Sequence, residues 1–186
     1  WGDTFGKEIG RGRTEVREFL ADTQDLLVPV GIDPAIATQT SKDITKLAVD
    51  LASFNNVADD TALRDIQAAL TGSGETMKKY GVIVDEAAVK QKLLNDNIDP
   101  KNATNAQKVL ARLALIMEGT TAAQGDAIRT SGSFANQLKR LQAVVKDTSA
   151  EVGSALLPTV TKMVNGLSSM VSSVRDFVQA NPLAVK

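Results

Sequence analysis

The sequence predicts an all-α protein: a bundle of several helices with a long C-terminal helix able to extend from it. Two observations predict this class. Apolar residues recur at steps of three and four along most of the chain. Hydrophobic residues make up 43% of the sequence but aromatics only 4%, so the apolar mass is mainly Leu, Val, Ile and Ala, a composition that leans toward helices. A β-sandwich would need more β-branched alternation and more aromatic residues. With 186 residues, the chain suits one domain of ordinary size, or a compact body with an arm.

The first apolar set, Val16, Phe19, Leu20, Leu26 and Leu27, forms one face of a helix that fades at Pro29 and Gly31. Gly6, Gly10 and Gly12 precede it among Lys7, Arg11 and Arg13. They lack Walker spacing, a closing Gly-Lys-Ser/Thr and a preceding apolar strand, so this segment reads as a flexible or frayed helix start. Asp33-Pro34 supplies an N-cap followed by proline in the first turn, and Ile36, Ile44, Leu47, Leu51 and Phe54 continue a second helix to Asn55-Asn56. Asp59 or Asp60 is then placed to cap a third helix carrying Leu63, Ile66 and Leu70, stopped by Gly72 and Gly74.

A short helical turn is expected around 77–80. The β-branched 81–84 link is the only strand candidate, and Asp85 caps a helix bearing Val89, Leu93 and Leu94. Turn formers fill 95–100. This stretch fails as a calcium loop, because Pro100 stands where a glycine is needed and Ala106 where a bidentate glutamate would close the shell. From Thr104 a long helix carries Val109, Leu110, Leu113, Ile116 and Met117, bending near Gly119 or Gly125. After Gly132, Leu138, Leu141, Val145, Thr148 and Val152 follow the spacing of a helix interface until Pro158 interrupts or restarts the helix.

Beyond Pro158 the composition turns to Ser, Val, Leu and Met. Leu156, Val160, Met163, Leu167, Met170, Val174 and Phe177 alternate steps of four and three as a heptad seam, which Leu157, Val164, Val171 and Val178 widen. Each such side chain left in water forgoes roughly 1.5–3 kcal/mol of burial, so the seam is expected to be covered. The cover is either this chain's own helices or a second copy. The expected organisation is a compact helical module over 1–157 and an apolar C-terminal helix or arm over 158–186.

Lys and Arg number 21 against 22 Asp and Glu, so no strong global field attracts nucleic acid or anionic lipid. With neither cysteine nor histidine, disulfides and the usual zinc and transition-metal sites are out of reach. No cofactor, metal site or catalytic cluster is expected. Carboxylate pairs such as Asp59/Asp60 and Glu15/Glu18 provide the one enzymatic alternative, glycosidase-type chemistry, and solvated helix faces explain them more simply. The same holds for the basic cluster Lys139, Arg140 and Lys146, which Asp147 and Glu151 follow at once. No membrane span or secretory signal is visible. Because residue 1 is Trp, the chain is expected to be a piece of a longer protein.

Residues 48–57, Ala-Val-Asp-Leu-Ala-Ser-Phe-Asn-Asn-Val, and 124–137, Gln-Gly-Asp-Ala-Ile-Arg-Thr-Ser-Gly-Ser-Phe-Ala-Asn-Gln, together resemble the tape-measure proteins of long-tailed bacteriophages. The resemblance spans about 40–180 and includes 77–88, 111–118 and 150–158. It implies a long, largely helical protein of the virion that lies in the tail-tube lumen, sets tail length during assembly in the host cytoplasm, and leaves ahead of the DNA at infection. The partners it implies are other copies, tail-tube and tail-tip proteins and tail-assembly chaperones. No sequence-specific nucleic acid is expected, and membrane contact only through regions outside this segment. A continuous helix of this length would reach on the order of 280 Å, but Pro29, Pro34, Pro100 and Pro158 break it. The segment is therefore expected to be a folded module within a longer ruler. A cell-wall hydrolase fragment and a membrane-inserting helical module stand as alternatives.

Overall fold

The computed structural model describes residues 1–180, and within these the side chains of Phe134, Val160 and 163–180 lie outside the description. Every regular element among the described residues is helical. In order they are α1 (Gly2–Ile9), α2 (Arg13–Leu27), α3 (Pro34–Phe54), α4 (Asp59–Leu70), a 3-10 helix (Gly74–Tyr80), α5 (Glu86–Asn95), α6 (Asn105–Gly119), the single turn α7 (Asp126–Arg129) and α8 (Phe134–Ala180). The chain divides into two compact units, Trp1–Ala143 and Val144–Lys186. This boundary precedes the one expected at Pro158.

Local signals explain three helix starts in the first unit. The Asp33 carboxylate accepts from the backbone N–H of Ala35 and Ile36 at the head of α3, with Pro34 in the first turn. Asp85 accepts from Ala88 N–H at 2.7 Å to open α5. Thr104 and Gln107 form a reciprocal capping box on α6. α4 differs from expectation, because its N-cap is Ala58 and Asp59 lies within the first turn, making no cap bond. The reason is tertiary: Asp59 is buried and its carboxylate is taken by cations from elsewhere in the fold. α1 also departs from expectation, since 2–9 is a helix and not a frayed start. Two glycines weaken its intrinsic propensity, and buried Phe5 and Ile9 hold it in place.

The core centres on α3, which buries Ile44, Leu47, Ala48, Val49, Leu51 and Ala52 and packs against α2, α4 and α7. Around it stand Val16, Phe19 and Leu27 of α2, Leu63, Ile66 and Leu70 of α4, and Val109 and Ile116 of α6. Met77 of the 3-10 helix and Leu93 of α5 complete the same cluster. Fully burying each such aliphatic side chain contributes roughly 1.5–3 kcal/mol before conformational entropy is subtracted. Ile36 and Phe54, assigned by periodicity to the apolar face of this second long helix, lie near its two ends and are 53% and 52% exposed.

The 81–84 link is not a strand but retains extended alternation, with Val82 and Val84 buried and Ile83 exposed. It lies so close to the 3-10 helix that a Cβ on Gly74 would sit 1.9 Å from the Val84 carbonyl oxygen, so no other residue fits there.

In the second unit, described by itself, α8 continues through Pro158 without a break. This corrects the expected interruption: the proline ring removes one backbone donor, and the surrounding turns remain helical. Val144, Val145, Val152, Leu156 and Leu157 are each more than half exposed. Of the predicted heptad seam, only Leu156 has a described side chain, 55% exposed. Val160, Met163, Leu167, Met170, Val174 and Phe177 lie outside the described side chains.

Candidate functional site

The two stretches at 48–57 and 124–137 meet. The C-terminal half of α3 brings Asp50 and Ser53, and facing them are the 120–125 turn, α7 and the first turns of α8. Asp50 is 2% exposed. Its carboxylate accepts from Gly125 N–H at 2.7 Å and Ala127 N–H at 3.1 Å. Burial raises the Asp50 pKa above its ordinary value and is the largest influence on it. The two backbone N–H groups and Lys46 act the other way, while the nearby Asp126 carboxylate adds to the rise.

One turn along α3, Ser53 Oγ lies 2.9 Å from Thr130 Oγ1. Asn136, 5% exposed, donates through Nδ2 to Ser53 Oγ at 3.1 Å, Thr130 Oγ1 at 3.0 Å and the Thr130 carbonyl at 3.1 Å. Thr130 in turn donates to the Asp126 carbonyl at 2.7 Å, and Arg129 pairs with the Asp126 carboxylate at 3.0 Å.

The Asn136 amide oxygen links this set to a second one. It accepts from Arg11 Nη2 at 3.1 Å, and Arg11 forms a buried ion pair through Nε with Asp59. Arg11 also donates to the Ile9 carbonyl at 3.1 Å. Lys139 Nζ then completes the Asp59 shell at 2.6 Å and reaches the Val57 carbonyl at 2.9 Å. Asp59 is therefore held between two cations. Such a buried cluster adds little net stability over an apolar one, but breaking it piecemeal strands a charge. An open cleft of about 250 Å³ runs alongside, lined in part by Ser53, Phe54, Asn56, Thr130, Ser133 and Lys139.

Sequence reasoning placed Lys139, Arg140 and Lys146 on a solvated face. The structure turns Lys139 inward to Asp59 and lays Arg140 across Gly10, where a Cβ would lie 2.6 Å from the guanidinium Nε. The carboxylates of Asp59 and Asp60, considered as a catalytic pair, are separately engaged: Asp59 by Arg11 and Lys139, and exposed Asp60 by Arg64 of the next helical turn. The 96–102 stretch that follows α5 is a loop closed on itself, with Asp99 accepting from Lys101 N–H and the Asn102 amide.

Asp50, Ser53, Asp126, Thr130 and Asn136 were missed as a group because they converge from distant parts of the chain. One signal was available: Asp50 lies one turn after Leu47 on the apolar side of its helix, where an acid needs a partner. Among the described residues, no group of acids could hold a metal ion, and no helix is long and apolar enough to cross a membrane. Comparison with protein-family models, curated proteins and solved structures returns no match.

Proposed function

We propose that this chain is a non-catalytic structural segment of a bacteriophage tail tape-measure protein, which sets tail length from within the tube and leaves ahead of the DNA at infection. The observation that carries this reading is the engagement between 48–57 and 124–137. The residues that give the chain its resemblance to that family bond to one another inside the fold. They are engaged in assembling a shape, as a building part requires, and Asp50, Asp59 and Asp126 already have partners within the protein. The uncovered apolar row on α8, from Val144 to Leu157, suits assembly with further copies or with tube, tip and chaperone proteins.

The test is genetic. In a phage encoding this segment, in-frame duplication of residues 1–186 should lengthen the tail measured by electron microscopy, and in-frame deletion should shorten it. Tails of unchanged length in both strains overturn the proposal. Purified chain should leave peptidoglycan intact; cleavage abolished by Asp60→Asn would instead establish the hydrolase alternative.

A further inference from the structure

We infer that residues 120–143 form a clasp that opens from the α1–α6 body as one cooperative unit, through the polar junction and without unfolding the body. This stands apart from the tail reading and rests on what each side of the junction buries. Among the described side chains, residues 120–143 bury only alanines as apolar groups, Ala123, Ala127 and Ala143, while Leu138 and Leu141 face solvent. The large fully enclosed side chains, Leu27, Ile44, Leu51, Ile66, Leu70, Met77 and Ile116, all belong to the body. The described side chains of the segment thus commit little apolar area of their own to the junction, and the hydrophobic effect scales with that area.

The clasp is held instead by directional bonds: Asp50 to the Gly125 and Ala127 amides, Ser53 to Thr130 and Asn136, and Asn136 and Lys139 to the Arg11–Asp59 pair. Losing one of these while the rest stay buried strands an unsatisfied group. Full opening gives all of them to water together. Partial states are thus disfavoured against both the closed and the open state, which is the condition for a two-state element. α7, a single turn, does not persist without its dock.

Native-state hydrogen exchange on the full chain tests this at single amides. The Gly125 and Ala127 N–H groups bond directly to the Asp50 carboxylate, so their exchange reports opening. They should exchange together with Thr130, at denaturant concentrations below those that release Ile44, Ile66 and Ile116. Asn136→Ala weakens only the closed state, so it should speed these amides about tenfold, and body amides that exchange through global unfolding by the same factor. Ser53→Ala, a milder change, should show the same pattern at smaller amplitude. Ile66→Val in the body, which stays folded when the clasp opens, should instead speed the body amides several-fold and leave the clasp amides within about twofold. Acceleration of both sets by Ile66→Val, or no acceleration of the clasp by Asn136→Ala and Ser53→Ala, overturns the inference.

Discussion

The α1–α6 body and the 144–157 part of α8 carry apolar residues at the same helical spacing and do opposite things with them. In the body, Ile44, Leu47 and Leu51 of α3 are at most 2% exposed, enclosed by neighbouring helices. On α8, Val145, Val152 and Leu156 are 54–58% exposed. Amphipathic periodicity specifies that a face needs cover; it does not specify who covers it. The body supplies cover from within, because its turns and loops bring α2, α3, α4, the 3-10 helix and α6 each against the element before it. α8 is continuous to Ala180, so its own length includes no such return.

The comparison is most sharply tested by placing the same charge in both regions. Ile44→Asp buries an unpaired carboxylate at a fully enclosed site and should cost more than about 4 kcal/mol, abolishing the cooperative thermal transition followed by circular dichroism. Asp50→Ala ranks next: it leaves the Gly125 and Ala127 amides without their acceptor and should cost roughly 2–3 kcal/mol in urea unfolding. Asp50→Asn keeps one acceptor oxygen but turns its NH2 toward the other backbone N–H, so it should cost somewhat less than Asp50→Ala, and it also removes the group whose titration makes stability depend on pH. The folded Asp50 pKa is raised, so its protonation favours the fold. That contribution is fully present below the unfolded carboxylate value of about 3.9 and is lost as pH rises through the folded value. Between neutral pH and about 4, the parent should therefore gain stability relative to Asp50→Asn as pH falls. Val152→Asp on α8 should be the mildest, changing stability by no more than about 0.5 kcal/mol because the side chain is already in water.

Much of the fold was legible because its signals are local. Asp33-Pro34, Asp85 and the Thr104/Gln107 box each start a helix within a few residues of the cap, and α2, α3, α5 and α6 begin where these or the apolar pattern place them. α1 was not legible, since its glycines argue against a helix and the burial of Phe5 and Ile9 that outweighs them is tertiary. Asp59 looked like a cap because acids commonly are, whereas its partners Arg11 and Lys139 lie far away along the chain. The same distance hid the junction as a whole. Pro158 was read as a stop from the bond it cannot make, yet a long helix tolerates one missing donor when its carbonyl can meet water. The seam from Val160 to Phe177 lies outside the described side chains, so the comparison rests on the stretch before it.

The chain has no cysteine, so single thiols placed in the two regions make the most direct test. With Val152→Cys and Ala48→Cys in separate variants at high dilution, a small thiol reagent should label position 152 nearly as fast as a free peptide thiol. Position 48, fully enclosed in α3, should react only on opening of the body. Equal, strong protection at both positions would mean that α8 is already covered by its own chain, and the contrast between the two regions would be lost.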